Sequence, residues 1–336
     1  MRIPALRSGG VITNYSCTSS CRHCLYCSAP RRSKDFLTKE KAGAVFSQLM
    51  DMGVGSVHIG GGEPFLSPDA LMDTLRAAKA VGMGIEYVET NASWFSRTEK
   101  AERLLKEIRR AGVTCLLVSI SPFHNEYIPF KKTRTLMDQC RREGISVFPW
   151  VNGFVEDLTA LGEDKTHPFT EFETVFGKDY LSKIPAKYWV HPGGRALYTF
   201  APIAKLRRPE KLPGFSAPCR ELYDTSHFHV DLYSRYIPGL CSGFGVKTED
   251  LTSSLQKEKY PILTMLSSGG VSAFLEFAQN TYGFVPDSGY TSKCQLCSEI
   301  RMYLVLHTSE DFSELHPKEF YRELESWKSA VPTVDR

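Results

Sequence analysis

The chain has 336 residues, 42% hydrophobic and 24% charged, which is enough apolar material for a large core and too much for a disordered chain. A formal net charge of +3, from 41 Lys and Arg against 38 Asp and Glu, argues against nucleic acid or an anionic membrane surface as the main partner. No apolar run approaches the roughly 18 residues of a membrane span, and the opening MRIPALRSGG lacks the apolar stretch of a signal peptide, so a cytosolic protein is expected.

From residue 10 to about 150, short β-branched runs alternate with amphipathic helical patterns, as in βα units around a parallel sheet. The predicted strands are Val11–Tyr15, Ser56–Gly60, Ile85–Thr90, Leu116–Ser121 and Ser146–Trp150, with Tyr188–Val190 as a sixth before the turn Gly193-Gly194. Between them, Thr38 caps a helix carrying Ala42, Val45, Phe46 and Leu49, and Ser67-Pro68 opens the next. Ser96 and Glu99 have capping-box spacing before Leu104, Leu105 and Ile108, while Leu136, Met137 and Cys140 precede the stop signal Gly144. Residues 152–187 show little periodicity beyond a helix near Phe169–Leu181. After about 205, Pro202, Pro209, Pro213 and Pro218 lead into a loop-rich second region, and Pro317–Ala330 reads as a closing helix. The expected organisation is a barrel core over 1–205, a second region over 206–310, and a C-terminal helix and tail over 311–336.

Ten cysteines in a reducing compartment point to metal or redox chemistry instead of disulfides. Cys17, Cys21 and Cys24 fall on the loop after the first strand, where a βα barrel builds its functional face. Thiolates suit iron-sulfur clusters and zinc, and three on a 4Fe-4S cluster leave one iron without a protein donor. Cys27 keeps two alternatives open: Cys21, Cys24 and Cys27 have ferredoxin-like C-x2-C-x2-C spacing, and all four thiols together suit zinc.

C-x3-C-x2-C after the first strand, followed by Gly60-Gly61-Gly62-Glu63-Pro64 directly after the second, resembles the radical S-adenosylmethionine (SAM) superfamily. The resemblance covers residues 10 to about 200 and implies an α/β fold, a partial (β/α)6 TIM-like barrel. It implies that Cys17, Cys21 and Cys24 hold a 4Fe-4S cluster whose open iron SAM chelates, with Gly61, Gly62, Glu63 and Pro64 at the methionyl amino group. It further places Asn91, Ser119, Ser121 and Arg195, together with Trp150 and Asn152, near the remaining parts of SAM. The implied activity is reductive cleavage of SAM to a 5′-deoxyadenosyl radical that abstracts hydrogen from a peptidyl or small-metabolite substrate, fed by a flavodoxin- or ferredoxin-type donor.

Cys219, Cys241, Cys294 and Cys297 supply four more thiols, with Phe228–Leu232 and Tyr236–Leu240 read as a hairpin that brings the second beside the first. The set resembles the SPASM and twitch extensions of the same superfamily, which implies a small, loop-rich C-terminal region with an auxiliary 4Fe-4S cluster; a four-cysteine zinc site suits the same ligands. Cys115 and Cys140 fit core packing. At the end of the fourth strand, His124 is a candidate for proton transfer with substrate and Glu126 for binding a substrate amine; His191, beside the sixth strand, is a similar candidate, and Tyr198 and the aromatic positions of 188–200 fit either a cavity wall or core packing. Sixteen residues precede Cys17, so no leader-peptide-binding domain is expected before it. An RNA-modifying enzyme and a non-catalytic iron-sulfur electron carrier are the competing readings; the balanced charge speaks against the first and the GGEP segment against the second.

Overall fold

Five of the six expected barrel strands form within a few residues of their predicted bounds in the computed structural model, which describes residues 1–331. They are β1 (Gly9–Ile12), β2 (Ser56–Gly60), β3 (Gly84–Thr90), β4 (Cys115–Ser119) and β5 (Ser146–Trp150). Tyr188–Val190 is not a strand: it leaves the helix Tyr180–Lys187 as irregular chain, and β5 remains an edge. The sixth parallel strand comes instead from the predicted hairpin, as β6 (Phe228–Asp231), and lies on the other side of β1. β7 (Arg235–Ile237) and β8 (Val246–Lys247) extend the sheet antiparallel, giving the order β5-β4-β3-β2-β1-β6-β7-β8.

Gly9 and Gly10 in β1 make this order possible. A Cβ at Gly9 would stand 2.3 Å from the Phe228 carbonyl oxygen, so a side chain there would push β6 away.

The helices Lys39–Asp51, Pro68–Val81, Glu99–Arg110 and Phe130–Arg142 follow β1 to β4 and turn their apolar stripes inward. Thr38 and Ser67 cap the first two, accepting from the backbone N–H of Lys41 and Ala70. The third is capped by Thr98, accepting from Ala101, and not by Ser96: Thr98 holds the extended backbone directly before Glu99 that a cap requires. The single helix expected near Phe169–Leu181 is two, Phe169–Phe176 and Tyr180–Lys187, split at Gly177 with φ +106°.

The C-terminal region is more helical than its prolines suggested, with Pro261–Tyr282, Lys293–His307 and the expected closing helix Lys318–Ala330. Residues 332–336 of the predicted tail lie outside the described residues. Pro261–Tyr282, at 22 residues and mean hydropathy 1.2, is long and apolar enough by length and composition to cross a membrane, which corrects the expectation that no segment would be. Ser267-Ser268-Gly269-Gly270 hides it from a search for continuous apolar runs. Gly270, at φ +68°, breaks the helical backbone, and a Cβ there would stand 2.2 Å from the carbonyl oxygen of Ala217. The break admits the segment leading to Cys219, whose N–H donates to Leu266 O at 2.9 Å. The helix itself buries Ile262, Leu263, Leu266, Phe274 and Leu275 in the core and packs along Lys293–His307.

Candidate active site

The exits of β1 and β2 lie directly on one another. Gly62 N donates to Asn14 O at 2.7 Å and Glu63 N to Ser16 O at 3.0 Å, while the Asn14 amide donates to Ser16 O at 2.7 Å. A Cβ on Gly62 would fall 2.0 Å from the Ser16 carbonyl oxygen, and Gly61 holds φ +147°, so glycine is required for this contact. The two glycines thereby bring their backbone against the cysteine loop.

Glu63 is fully buried and stands off the cavity wall. Its carboxylate accepts from Asn91 N at 2.7 Å, Phe65 N at 3.1 Å and Thr90 Oγ1 at 3.0 Å. Burial pushes it up to about 7 against the pull of these donors. Asn91, positioned by this latch, directs its Nδ2 toward Cys17 Sγ at 3.4 Å and Thr18 Oγ1 at 3.1 Å.

Gly194 and Arg195 back the cysteine loop from the far side. A Cβ on Gly194, at φ +53°, would sit 2.3 Å from Leu25 O and 2.4 Å from Cys24 O. Arg195, 1% exposed, donates Nε to Cys21 O at 2.8 Å and Nη2 to Ser28 O at 2.6 Å, and its backbone N–H to Cys24 O at 3.1 Å. Burial opposes its charge, but the thiols of Cys24, Cys27 and Cys21 hold it above its ordinary value. Among the described residues it forms no ion pair with a carboxylate. A buried cation whose anionic partners are thiols suits a loop that carries thiolate on metal. Burial, with Glu63 adding to it, pushes the Cys17 thiol up to about 12 against the pull of the Ser19 N–H and Arg195.

One cavity of about 290 Å³ opens at this end of the sheet. Cys17, Cys21 and Cys24 line it, and Cys27, buried with φ +51°, does not. Gly61, Gly62, Pro64, Asn91, Ser119, His124, Trp150, His191 and Arg195 also reach it, whereas Glu63, Ser121, Glu126 and Asn152 do not. Ser121 caps the short turn Pro122–Asn125 and sets its Oγ 2.7 Å from His124 Nδ1; burial lowers His124 to about 4, so the ring is neutral near pH 7. Tyr198 is buried in the core cluster.

Glu126 is committed to Arg22, between Cys21 and His23, through a two-pronged pair at 2.8 Å on each arm, and it also accepts from Phe169 N at 3.3 Å. Its carboxylate therefore fixes the cysteine loop to the β4 exit. Glu126→Gln is expected to lower stability by about 1–2 kcal/mol while SAM affinity stays within about twofold. Thermal melting and a SAM titration would show this, and an unchanged melting temperature with weakened substrate binding would favour amine recognition instead.

The second cysteine set also comes together. Cys219 precedes the turn Arg220–Tyr223, Cys241 follows Pro238–Leu240, and Cys294 and Cys297 occupy the first turn of Lys293–His307, capped by Ser292. The four thiols feel one another electrostatically. Arg301, one turn beyond Cys297, is 5% exposed and donates to Ser242 O at 2.8 Å and to Tyr321 Oη at 3.2 Å. Burial opposes its charge, which Tyr321, Cys297 and Cys241 outweigh. Like Arg195, it has no carboxylate ion pair among the described residues. Both sets thus place a buried guanidinium beside thiols. Among the described residues, the donors drawn closely enough together for a single ion are His58, His227 and His229, not either cysteine set. Wider spacing suits thiolates that each bind a different iron.

Sequence reading missed those three histidines, whereas Trp189, among the aromatics of 188–200 expected at the cavity wall, lines the cavity while 71% exposed. His229 belongs to β6, whose place beside β1 the sequence pattern did not show, and His227 lies in the turn directly before it.

Residues 11–150 match the model of a family described as the Radical SAM superfamily. No curated protein matches. Among solved structures, SuiB of Streptococcus suis bound to S-adenosylmethionine is 14% identical over 81% of this chain and 68% of that one, with a TM-score of 0.36. Native anSMEcpe with bound AdoMet is 13% identical over 96% of this chain and 100% of that one, with a TM-score of 0.40. The radical S-adenosylmethionine methyltransferase TsrM from Kitasatospora setae, with cobalamin and a [4Fe-4S] cluster bound, is 20% identical over 42% of this chain and 30% of that one, with a TM-score of 0.30.

Proposed function

The chain is a radical SAM enzyme with its superfamily domain at residues 11–150, and we propose that Cys17, Cys21 and Cys24 hold the SAM-binding 4Fe-4S cluster for hydrogen abstraction from a peptidyl or small-metabolite substrate. When bound, the cluster and SAM together supply a 5′-deoxyadenosyl radical after one-electron reduction. The observation that carries the assignment is the shared cavity: the three thiols and the Gly61-Gly62 turn face the same space, and Cys27 does not.

The protein's part is positioning and exclusion of water. Arg195 and the Arg22–Glu126 pair hold the cysteine loop from two sides, and Asn91 supports Cys17. Trp150, Tyr188 and Trp189 wall the cavity with apolar surface, which shields a reactive centre from solvent. Neutral His124, held by Ser121, is the group placed to exchange a proton with substrate.

In the same reading, Cys219, Cys241, Cys294 and Cys297 hold a second 4Fe-4S cluster with all its irons ligated by protein, suited to relaying electrons; the buried Arg301 offsets its negative charge. A flavodoxin- or ferredoxin-type protein is the electron donor in this scheme. Anaerobic reconstitution with iron and sulfide, then dithionite and SAM, is expected to yield 5′-deoxyadenosine and about eight iron atoms per chain. No 5′-deoxyadenosine from fully loaded protein would overturn the assignment.

A further inference from the structure

A third group of metal-ligating side chains is distinct from both cysteine sets. β1 runs between β2 and β6, and Gly10 is opposite both His58 on β2 and His229 on β6. With no side chain at Gly10, the two imidazoles occupy that space; a Cβ there would fall 2.2 Å from His58 Nε2. The result is an Nε2-to-Nε2 separation of 2.9 Å between rings only 1% and 6% exposed. His227 completes the group, with one nitrogen of each ring inside a 4.8 Å span.

The chemistry of the three rings suits a ligand better than it suits a hydrogen-bond network. Burial, reinforced by the neighbouring rings, holds His58 down to about 3 and lowers His229, and burial lowers His227, so all three keep lone pairs near pH 7. Two neutral imidazoles meeting nitrogen to nitrogen share one proton, and His229 Nδ1 is left buried without a hydrogen-bond partner. An ion about 2.0–2.1 Å from each nitrogen spans the separation seen here. Glu89 brings a carboxylate oxygen to 3.9 Å from His58 Nε2, and no Lys or Arg among the described residues pairs with it. Glu89, His227 and His229 all line the cavity, so an ion here would face the space where substrate sits.

We propose that His58, His227 and His229 form a binding site for one zinc ion, with an open coordination position toward the cavity. His58 and His229 are the preset pair. His227, half-buried and stacked within 10° of the His58 plane, turns about its side-chain bonds to direct a nitrogen onto the ion. Three imidazoles with an open position make a site that takes a substrate oxygen or nitrogen as its next ligand. The ion would then anchor substrate on the wall formed by β2 and β6. Retention of the ion requires no SAM cleavage, so this site and the cysteine assignment can fail separately.

The test uses the reconstituted enzyme carrying its iron-sulfur clusters, equilibrated with Zn²⁺ alone and desalted. One zinc per chain is expected, with a zinc-edge X-ray absorption spectrum dominated by imidazole nitrogen at about 2.0–2.1 Å. His227→Phe, which keeps a ring over His58, is expected to weaken zinc binding at least about tenfold at unchanged iron content. Substoichiometric zinc, a sulfur-dominated spectrum, or undiminished affinity in His227→Phe would each overturn the proposal. The wild-type spectrum decides the matter even if the variant misfolds.

Discussion

Replacing Cys17, Cys21 and Cys24 together with Ala is expected to reduce 5′-deoxyadenosine formation to the no-enzyme background and to leave roughly half of the iron. Radical generation belongs to the cofactor, so removing its ligands removes the chemistry instead of slowing it. The second cysteine set lies on other elements, held by Leu266, Ser292 and Arg301, and in the proposed scheme would keep its own iron. Cys27→Ala is the informative partner, because Cys27 lies off the cavity and its replacement should preserve both iron and turnover. Iron analysis and product chromatography on the two variants separate the registers. Activity in the triple variant would overturn the assignment, and loss of both iron and turnover in Cys27→Ala would move the site to the ferredoxin-like spacing.

Gly239→Ala should do for the second set what the triple change does for the first. Gly239 holds φ +53°, and a Cβ there would stand 1.7 Å from the Glu221 carbonyl oxygen. That contact joins the turn before Cys241 to the turn after Cys219, so the two thiols are brought together through backbone alone. Overpacking against fixed backbone together with a left-handed conformation costs about 3 kcal/mol or more. The expected readout is a lower melting temperature with loss of about half the iron, while the SAM-dependent change in the first cluster's spectrum persists. Gly53→Ala provides the comparison: Gly53 has φ +87° but nothing within 4 Å of a Cβ, so only the backbone cost of about 1 kcal/mol applies. Equal behaviour of the two variants would refute the steric argument.

Reading the chain in order recovered what neighbouring residues decide. Strand alternation, the Thr38 and Ser67 caps, the Gly144 stop and the cysteine spacings all act over a few residues, and each is present in the structure. The C-x3-C-x2-C loop and the GGEP turn were legible for the same reason, since each follows directly on its own strand. Where the two meet, the glycines serve a further purpose that spacing does not reveal. Gly62 yields to the Ser16 carbonyl, a contact between loops on different strands.

The use of individual charges depended on tertiary structure. Glu63 and Glu126 carry the expected chemistry for an ammonium or an amine, but the fold commits one to the N–H groups of Phe65 and Asn91 and the other to Arg22. A buried carboxylate takes the nearest donors, and donors far along the chain are invisible until the sheet is assembled. The length and polarity of Tyr188–Val190 fit a sixth strand, yet β6 takes that role on the far side of β1, where Gly9 lets it approach. By itself, then, the sequence determined the βα repeat, the two cysteine sets and the superfamily they resemble, since these rest on local periodicity and ligand spacing. Strand order alone decided which residues face the cavity, and with it the three-histidine group across Gly10, because such contacts join segments whose separation along the chain carries no local signal.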